Sequence, residues 1–123
     1  MKIHITNTLN NITENDIKKD LVKGIKNKNT IKFIIDNEKY ILKILSNKEV
    51  VLNRNSDIIE NTMYFKLNNK TTSIYTVKKE GYNIEIDIKT TFLNIKDNII
   101  EVHYTIIDSN NNYEYIIEMS EVK

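Results

Sequence analysis

Arg54 is the first residue whose chemistry stands out, because it is the only arginine in a chain that otherwise uses lysine for positive charge. A guanidinium group presents a planar fork of donors that grips a carboxylate or phosphate through two hydrogen bonds, which an ammonium group does not reproduce. Arg54 therefore predicts an anchor for an anionic headgroup. The alternative is an ion pair with a strand-end carboxylate, such as Glu49 or Asp57, that fixes one end of the barrel.

The tyrosines are the second group of interest, since each combines an apolar ring with a hydroxyl that needs a partner when buried. Six of them fall in segments of strand character: Tyr64, Tyr75, Tyr82, Tyr104, Tyr113 and Tyr115. If several face one interior, they line a pocket for a small amphipathic molecule. If they pack together instead, they fill a solid core and form hydrogen bonds at its rim.

The carboxylates, histidines, serines and threonines form no pattern that indicates chemistry. We therefore predict no catalytic residue, no metal site and no cofactor. Glu85 and Asp87 project from one face of a strand, roughly 7 Å apart as in some glycosidases, but this face also carries Lys89 and is predicted to be solvated. His4 and His103 are the only histidines, and their spacing matches no metal-binding motif. Ser and Thr lack the G-x-S-x-G turn that would expose a nucleophile.

The charge balance argues against a polyanionic partner. Eighteen basic residues against 17 acidic ones give a formal charge of +1, which predicts neither DNA nor membrane binding. The most basic segment, residues 23–32, lacks the aromatic side chains needed to stack on bases and is expected to be a solubilising loop. Cysteine is absent, so we predict a cytoplasmic location without disulfides, and no stretch has the roughly 18 apolar residues of a membrane span.

The elements that must position these residues are predicted to be strands. Proline is absent and only Gly24 and Gly81 occur, so clusters of Asn, which tolerates a positive φ, are expected to mark the turns. Residues 82–93 alternate strictly, and their length predicts a bend or bulge near Thr90–Thr91. One face of this run carries every second residue: Tyr82, Ile84, Ile86, Ile88, Thr90 and Phe92.

Residues 100–106 and 113–119 repeat this alternation, which predicts a three-stranded meander at the end of the chain. Shorter β-branched and aromatic runs precede it, giving about eight to nine strands. Residues 16–22 fit two structures, because Ile17, Leu21 and Ile25 have helical spacing within a segment of strand length. We predict one all-β domain over residues 1–123, a closed or nearly closed antiparallel barrel, because closure removes exposed edges.

The order of several short motifs resembles the YwiB-like family of bacterial proteins of unknown function, whose barrels are calycin-like (lipocalin-like). The resemblance rests on Lys39-Tyr40-Ile41-Leu42-Lys43-Ile44, Glu49-Val50-Val51-Leu52-Asn53-Arg54, Met63-Tyr64-Phe65, Tyr75-Thr76, Gly81 and Thr90. It implies a strand over residues 16–22 and no established activity. This chain departs from the family pattern at Asn55-Ser56, where a glycine is usual, and in a longer interval from Tyr75 to Gly81.

These observations lead to two principal hypotheses. The first is a non-enzymatic barrel that binds a small apolar or amphipathic ligand in its lumen, with four candidate ligand-binding residues: Arg54, Tyr75, Thr90 and Tyr104. The second is an interaction or structural module with a solid core that presents its outer surface to a protein or RNA. Its candidate patch is Ile99, Ile107 and Ile116, which equally fit a neighbouring strand or a homodimer contact. An enzyme is the third hypothesis, because no acid-base or nucleophilic set can be assembled.

Overall fold

Short alternating runs separated by asparagine-rich turns fold into ten strands in the computed structural model, which describes residues 1–122. The strands are β1 (Lys2–Asn11), β2 (Asp16–Asn27), β3 (Thr30–Ile35), β4 (Glu38–Ser46), β5 (Glu49–Asn55), β6 (Ile59–Lys66), β7 (Lys70–Val77), β8 (Tyr82–Lys96), β9 (Ile99–Ile106) and β10 (Asn111–Glu121). The all-β prediction is confirmed, and the segment 16–22 lies within a strand rather than a helix. Within residues 1–122, no helix is long and apolar enough to cross a membrane.

The strands form a closed antiparallel barrel in which each strand pairs with the next along the chain. Closure comes from β1 and β10, which pair from Ile3↔Glu121 to Asn11↔Tyr113. The closed barrel is therefore confirmed, with ten strands rather than eight or nine. Because the ring is complete, every strand has a neighbour on both sides, which limits the edge open to another chain, although residues 16–23 of β2 have no ladder partner on the β3 side.

Asparagine takes the place of glycine at the turns, as the sequence predicts. Positive φ angles occur at four asparagines and two other non-glycine residues: Asn15, Lys28, Asp36, Asn37, Asn68 and Asn110. Gly81 supplies one more, with φ of 71°. Asn adopts this left-handed backbone more readily than other non-glycine residues, so a chain with two glycines can still turn between ten strands.

The long strand β8 contains the predicted irregularity, since its register with β9 shifts between Thr90 and Phe92. This bulge changes which side chains face the interior. Before it, Ile88 and Thr90 point inward and are fully buried; after it, Leu93 takes the inward position and Phe92 lies on the outer surface. The prediction that Phe92 shares the inner face of Ile88 is therefore wrong, because one extra residue reverses the alternation.

The barrel interior is filled mainly by aliphatic and aromatic side chains from alternate positions of the strands. Its fully buried members include Ile3, Ile5, Ile31, Leu42, Val50, Phe65, Ile88, Ile100, Val102 and Ile117. Burial along β8 increases from Ile84, which is 44% exposed, to Ile88, which is 0% exposed. The predicted shared interior is thus present, but it begins at Ile86, four residues further along this strand than Tyr82, where the alternation starts.

Strand β2 differs from its neighbours because most of its large apolar side chains lie on the outer face of the barrel. Its register with β1 pairs Ile5 with Val22 and Ile3 with Gly24, which fixes the even-numbered positions on the inner side. The apolar residues Ile17, Leu21 and Ile25 therefore lie on the outer surface. Gly24 lies at an inner position where an added Cβ would be only 2.5 Å from the carbonyl oxygen of Lys32.

Candidate functional site

A row of polar and aromatic side chains crosses the inner wall of four neighbouring strands. Tyr40 of β4 pairs with Arg54 of β5, Arg54 pairs with Asn61 of β6, and Asn61 pairs with Tyr75 of β7. Opposite side chains on one face of an antiparallel sheet have Cβ atoms about 5 Å apart. Two residues singled out from the sequence, Arg54 and Tyr75, are therefore separated by one ladder position, which Asn61 occupies.

Arg54 forms an ion pair with Glu38, with 2.5 Å between its Nε and the carboxylate Oε1. The ion pair matches the structural alternative from the sequence, because Glu38 is a strand-end carboxylate at the start of β4; the two examples named there, Glu49 and Asp57, are not its partner. Arg54 and Glu38 lie at inward-facing positions of adjacent strands, whereas Glu49 lies at an odd-numbered position of β5 and pairs with Lys66 at 3.8 Å. Strand alternation places Glu49 and Arg54 on opposite faces of the sheet.

The Arg54 guanidinium is bound through its Nε, and its two terminal Nη groups have no hydrogen-bond acceptor among the described residues. Its Cζ lies 5.2 Å from the centre of the Tyr40 ring, and that ring stacks on Phe33 at 4.9 Å. Among the described residues, only the Nε of Arg54 donates a hydrogen bond to a side chain or carbonyl. The two Nη groups keep their donors, which is the part of the fork that grips a carboxylate or phosphate.

A small cavity of about 60 Å³ lies beside Arg54 at one end of the lumen. Its polar lining comes from six strands and includes Asn7, Lys18, Asp20, Tyr40, Arg54, Tyr104 and Tyr115. Leu9, Leu52, Met63 and Phe65 provide the apolar lining. Tyr115 donates a hydrogen bond of 2.5 Å to the Oδ1 of Asn7, which fixes both side chains at the cavity wall.

The four candidate residues from the sequence do not form one cluster. Arg54 and Tyr104 line the same cavity. Tyr75 lies on the same inner wall as Arg54, and Thr90 pairs with Tyr104 across β8 and β9, but neither lines the cavity. Arg54 and Tyr104 are thus the pair that the fold brings together, with Tyr75 and Thr90 each adjacent to one of them.

Three buried polar atoms of the inner wall have no hydrogen-bond partner among residues 1–122: Asn61 Oδ1, Ser73 Oγ and Thr90 Oγ1. A buried oxygen without a partner costs about 1–3 kcal/mol, and native proteins hold only a few such groups per 100 residues. Asn61 is the relevant one here, because it is 8% exposed and pairs directly with Arg54. It adds a buried acceptor beside the free donors of the guanidinium.

The sequence hypothesis missed Asn7, Glu38, Tyr40 and Asn61 as members of the site, whereas Tyr115 was among the six tyrosines considered for a pocket. The available signal was a polar residue at an inward position of an otherwise apolar alternation. Asn7 follows Ile3 and Ile5 in this way, and Asn61 precedes Met63 and Phe65. Asn61 lies two residues before the Met63-Tyr64-Phe65 motif, outside the β-branched and aromatic run that indicates the strand.

Burial changes the acidity of three tyrosines around the cavity. It raises the pKa of Tyr115 well above the usual value near 10, with Tyr40 adding to the effect and Arg54 opposing it. Burial also raises the pKa of Tyr104, with a further contribution from Tyr113. For Tyr40, burial raises the pKa and the neighbouring Arg54 partly offsets that increase. All three hydroxyls therefore remain protonated, and able to donate, well above neutral pH.

These raised pKa values predict an alkaline limit to stability. Unfolded tyrosines ionise near pH 10, whereas the buried ones do not, so the unfolded state binds fewer protons above that pH and stability falls. We expect the free energy of unfolding in urea to be insensitive to these tyrosines below about pH 10 and to decrease above it. The decrease should be smaller in Tyr115→Phe. The measurement is phenolate absorbance of the folded protein against pH. If all seven tyrosines ionised together near pH 10, the predicted loss of stability would be contradicted.

A second polar cluster lies on the outer wall, where Glu101 and His103 of β9 meet Glu114 of β10. The Nε2 of His103 lies 2.5 Å from Glu101 Oε2 and 3.3 Å from Glu114 Oε2. One side-chain atom from each residue, the histidine nitrogen and two carboxylate oxygens, lies within 4.8 Å of the other two. The sequence did not predict this group, because only the register of β9 with β10 brings Glu114 opposite His103. The contacts of His103 with the two carboxylates bridge β9 and β10, and Asn10 of β1 donates a hydrogen bond of 3.2 Å to the other oxygen of Glu114.

The proposed outer patch of Ile99, Ile107 and Ile116 is not continuous, so that prediction is wrong as a single surface. Ile99 and Ile116 are half-buried on the outer face of β9 and β10. Ile107 follows the other end of β9, in the turn, where its backbone nitrogen donates to the Asp87 carbonyl. The period-two pattern identified three misplaced side chains but did not fix their positions along the strands.

Comparison with known proteins gives a family and a fold. The family model described as a domain of unknown function (DUF1934) matches residues 4–119. No curated protein matches the chain significantly. The chain is similar to the crystal structure of the ywiB protein from Bacillus subtilis, with 16% identity and a TM-score of 0.73. The alignment covers 99% of this chain and 91% of that one, and at this identity the likeness shows the barrel fold.

Proposed function

The chain belongs to the DUF1934 family of domains of unknown function, and on that premise we propose that its barrel binds a small molecule with an acidic group, with Arg54 as the anchor. The observation that carries the proposal is which guanidinium nitrogens of Arg54 have hydrogen-bond partners. Glu38 holds its Nε, while both Nη groups remain without a partner among residues 1–122 beside a cavity. A bidentate arginine–carboxylate pair is more stable than one with a single hydrogen bond, so an arginine that served only as an ion pair is expected to be bidentate.

The size of the cavity limits how much of a ligand enters. Pockets that enclose a whole drug-sized molecule measure about 300–1,000 Å³, whereas this cavity measures about 60 Å³. The original hypothesis of a ligand within the lumen is therefore restricted to a headgroup, with the rest of the molecule at the barrel mouth. A carboxylate or phosphate fits that volume, and its oxygens would accept from the Arg54 Nη groups and the Tyr104 hydroxyl.

The lining supports an amphipathic ligand rather than a free inorganic anion. Phe65 and Leu52 are buried and Leu9 is half-buried at the wall of the cavity. These side chains favour an apolar segment next to the acidic group, because contact removes apolar surface from water. Lys18 and Asp20 at the same wall have opposite charges, so Arg54 remains the residue that selects for an anion.

We propose the bacterial cytoplasm as the setting and a calycin-like classification for the barrel. The absence of cysteine supports a reducing compartment. The likeness to a Bacillus subtilis protein supports a bacterial origin. The up-and-down antiparallel order supports the calycin-like assignment, although its ten strands exceed the eight of lipocalins.

A titration with three eight-carbon probes tests the proposal. Octyl phosphate and octanoate carry an acidic group, and octanol has the same chain without charge. We expect backbone amide NMR signals around Arg54, Asn61 and Tyr104 to shift with the two acids and not with octanol. Arg54→Lys retains the charge but loses the fork, and it should weaken octyl phosphate binding about 10-fold or more, since a hydrogen bond to a charged group contributes about 1.5–3 kcal/mol.

The matched control is Lys66→Gln compared with Arg54→Gln, because both remove one cation from an ion-paired residue. Lys66→Gln lies on the outer surface and should leave the Kd for octyl phosphate unchanged. Equal binding of octanol and octyl phosphate, or an unchanged Kd in Arg54→Gln, would overturn the assignment of Arg54. Unfolding curves of each variant separate lost binding from lost structure.

The filled interior also favours the second hypothesis, a module that acts through its outer surface. The core residues leave little free volume, and a different wall of the barrel carries exposed apolar and charged side chains. That wall does not include Arg54, so the two hypotheses are compatible.

A further inference from the structure

We propose that the outer surface of β2, β3 and β4 binds the surface of a lipid bilayer that contains anionic lipids. This surface is here called the lysine face, and its residues are Ile17, Lys19, Leu21, Lys23, Ile25, Lys32, Ile34, Lys39, Ile41 and Lys43. It lies outside the barrel and does not involve the cavity, so the inference is independent of the proposed function.

Cationic and apolar side chains alternate across the strands of the lysine face. The register places Ile25 opposite Lys32 and Lys32 opposite Ile41. On the next outward row, Ile34 pairs with Lys39. The result is a checkerboard in which each apolar side chain has lysine neighbours. A shallow groove of about 500 Å³ runs over this area, and no carboxylate lines it.

The apolar members of the lysine face are unusually exposed for their type. Leu21 is 77% exposed, Ile17 62% and Ile34 58%. These side chains follow the outward-facing positions of β2 and β3, so the register, rather than a local irregularity, places them in water. A face that repeatedly places large aliphatic groups in water is expected to be covered by a partner.

The charges of the lysine face are uncompensated within the described residues. The carboxylates of these three strands, Asp16, Asp20 and Glu38, all lie at inward-facing positions. None of its five lysines forms an ion pair within residues 1–122. The outer surface therefore carries five positive charges and no negative charge over three adjacent strands.

The opposite wall of the barrel carries the balancing negative charge. In the ring of ten strands, β3 is five steps from β8 in either direction, and β4 is five steps from β9. The outer faces of β8, β9 and β10 carry two lysines, Lys89 and Lys96, against five carboxylates: Glu85, Asp87, Glu101, Glu114 and Glu118. The formal charge of +1 thus averages over two walls of opposite net charge, so the net charge by itself does not decide whether this face attracts anionic lipid.

The arrangement fits a bilayer surface better than a protein or a nucleic acid. Protein interfaces concentrate apolar side chains at a core from which lysine is depleted, and here lysines separate the apolar groups. Single-stranded nucleic acid requires aromatic platforms, and the ten residues of the lysine face include none. At a bilayer, lysines contact lipid phosphates while the aliphatic side chains between them enter the headgroup and acyl boundary.

Vesicle flotation tests the proposal with the full chain. We expect binding to vesicles of phosphatidylglycerol and phosphatidylcholine, little binding to phosphatidylcholine alone, and release at high salt. Lys32→Gln/Lys39→Gln should reduce the partition coefficient about 25-fold, because each lysine near such a surface contributes about fivefold. The matched control is Lys89→Gln/Lys96→Gln on the opposite wall, which changes the net charge equally and should leave binding within about twofold of the wild type.

The apolar contribution is tested separately by Leu21→Ser/Ile25→Ser/Ile34→Ser, which keeps every charge. Each of the three side chains is more than half exposed, so the melting temperature should change little. A loss of vesicle binding in this variant supports insertion of the aliphatic side chains. Unchanged binding would reduce the interaction to nonspecific charge attraction and overturn the proposal.

Three further outcomes overturn it. The first is the absence of flotation by the wild-type protein with phosphatidylglycerol vesicles at low salt. The second is tighter binding of the same face to a single-stranded RNA homopolymer, or to an acidic protein, than to the vesicles. An equal loss in the Lys89→Gln/Lys96→Gln control would show that net charge, and not this face, governs the interaction.

Discussion

Phe65→Ala is expected to lower the free energy of unfolding by about 3–5 kcal/mol, the range for removing a fully buried phenylalanine. Phe65 is 1% exposed, and its ring packs against Tyr104 with 5.0 Å between centroids. It also lines the cavity beside Arg54. Its removal therefore deletes core contacts and enlarges a space that a closed ten-stranded ring cannot easily collapse to fill.

Urea unfolding followed by circular dichroism gives this change, and Tyr64→Ala is its control. Tyr64 is the preceding residue of β6, an aromatic of similar size, and it is 45% exposed on the outer face. The control should cost well under half of the Phe65 effect, because exposed substitutions rarely exceed about 0.5–1 kcal/mol. Similar losses in the two variants would mean that the β6 alternation is assigned to the wrong faces.

The second large effect is expected from Gly24→Ala, which should destabilise the protein by about 1–3 kcal/mol through overpacking. An alanine Cβ at this position would lie 2.5 Å from the carbonyl oxygen of Lys32 and 2.6 Å from the Cδ1 of Ile5. The Ile5 side chain has some freedom to move, but the backbone oxygen belongs to the neighbouring strand β3. Relief therefore requires β2 and β3 to separate.

That separation occurs at a weak point of the ring, since β2 and β3 pair only from Gly24↔Phe33 to Asn27↔Thr30. Thermal unfolding compared with Gly81→Asn provides the control. Gly81 has a positive φ that asparagine tolerates, and nothing lies within 4 Å of an added Cβ there. The melting temperature of Gly81→Asn should stay close to the wild type. A wild-type melting temperature for Gly24→Ala would refute the close approach of β2 and β3.

Most strands were predictable because their signal is local. Alternation of Tyr82, Ile84, Ile86 and Ile88 indicates a strand without knowledge of any partner, and the asparagine clusters indicate where the chain reverses. The bulge near Thr90 was also predictable, because a strand of that length must bend within a small barrel. Its effect on Phe92 was not, because the side on which the extra residue falls depends on pairing with β9.

The candidate site was only half predictable for the same reason. Arg54 was identified by residue type, and Tyr104 by its place in the alternation of residues 100–106. Glu38, Asn61 and Tyr115 join Arg54 through strand registers between segments up to several dozen residues apart. Residue type indicates what chemistry is available, but the register decides which groups meet.

The charge pattern illustrates the limit most clearly. Composition gave a net charge of +1, which correctly describes the sum and says nothing about its distribution. Each carboxylate of β2 and β4 lies an odd number of residues from the lysines of the lysine face on the same strand, so alternation places the two signs on opposite sides of one sheet. Which side is the outside depended on the pairing of Ile5 with Val22.

The sequence by itself determined that this protein is built of antiparallel strands, where those strands turn, and that one arginine is available to hold an anion. Tertiary structure alone decided that the ring closes with ten strands, that Ile17, Leu21 and Ile25 face water, and that Glu38 and Tyr104 surround Arg54. The physical reason is that alternation is a property of consecutive residues. Inside and outside are defined only when the first strand pairs with the last.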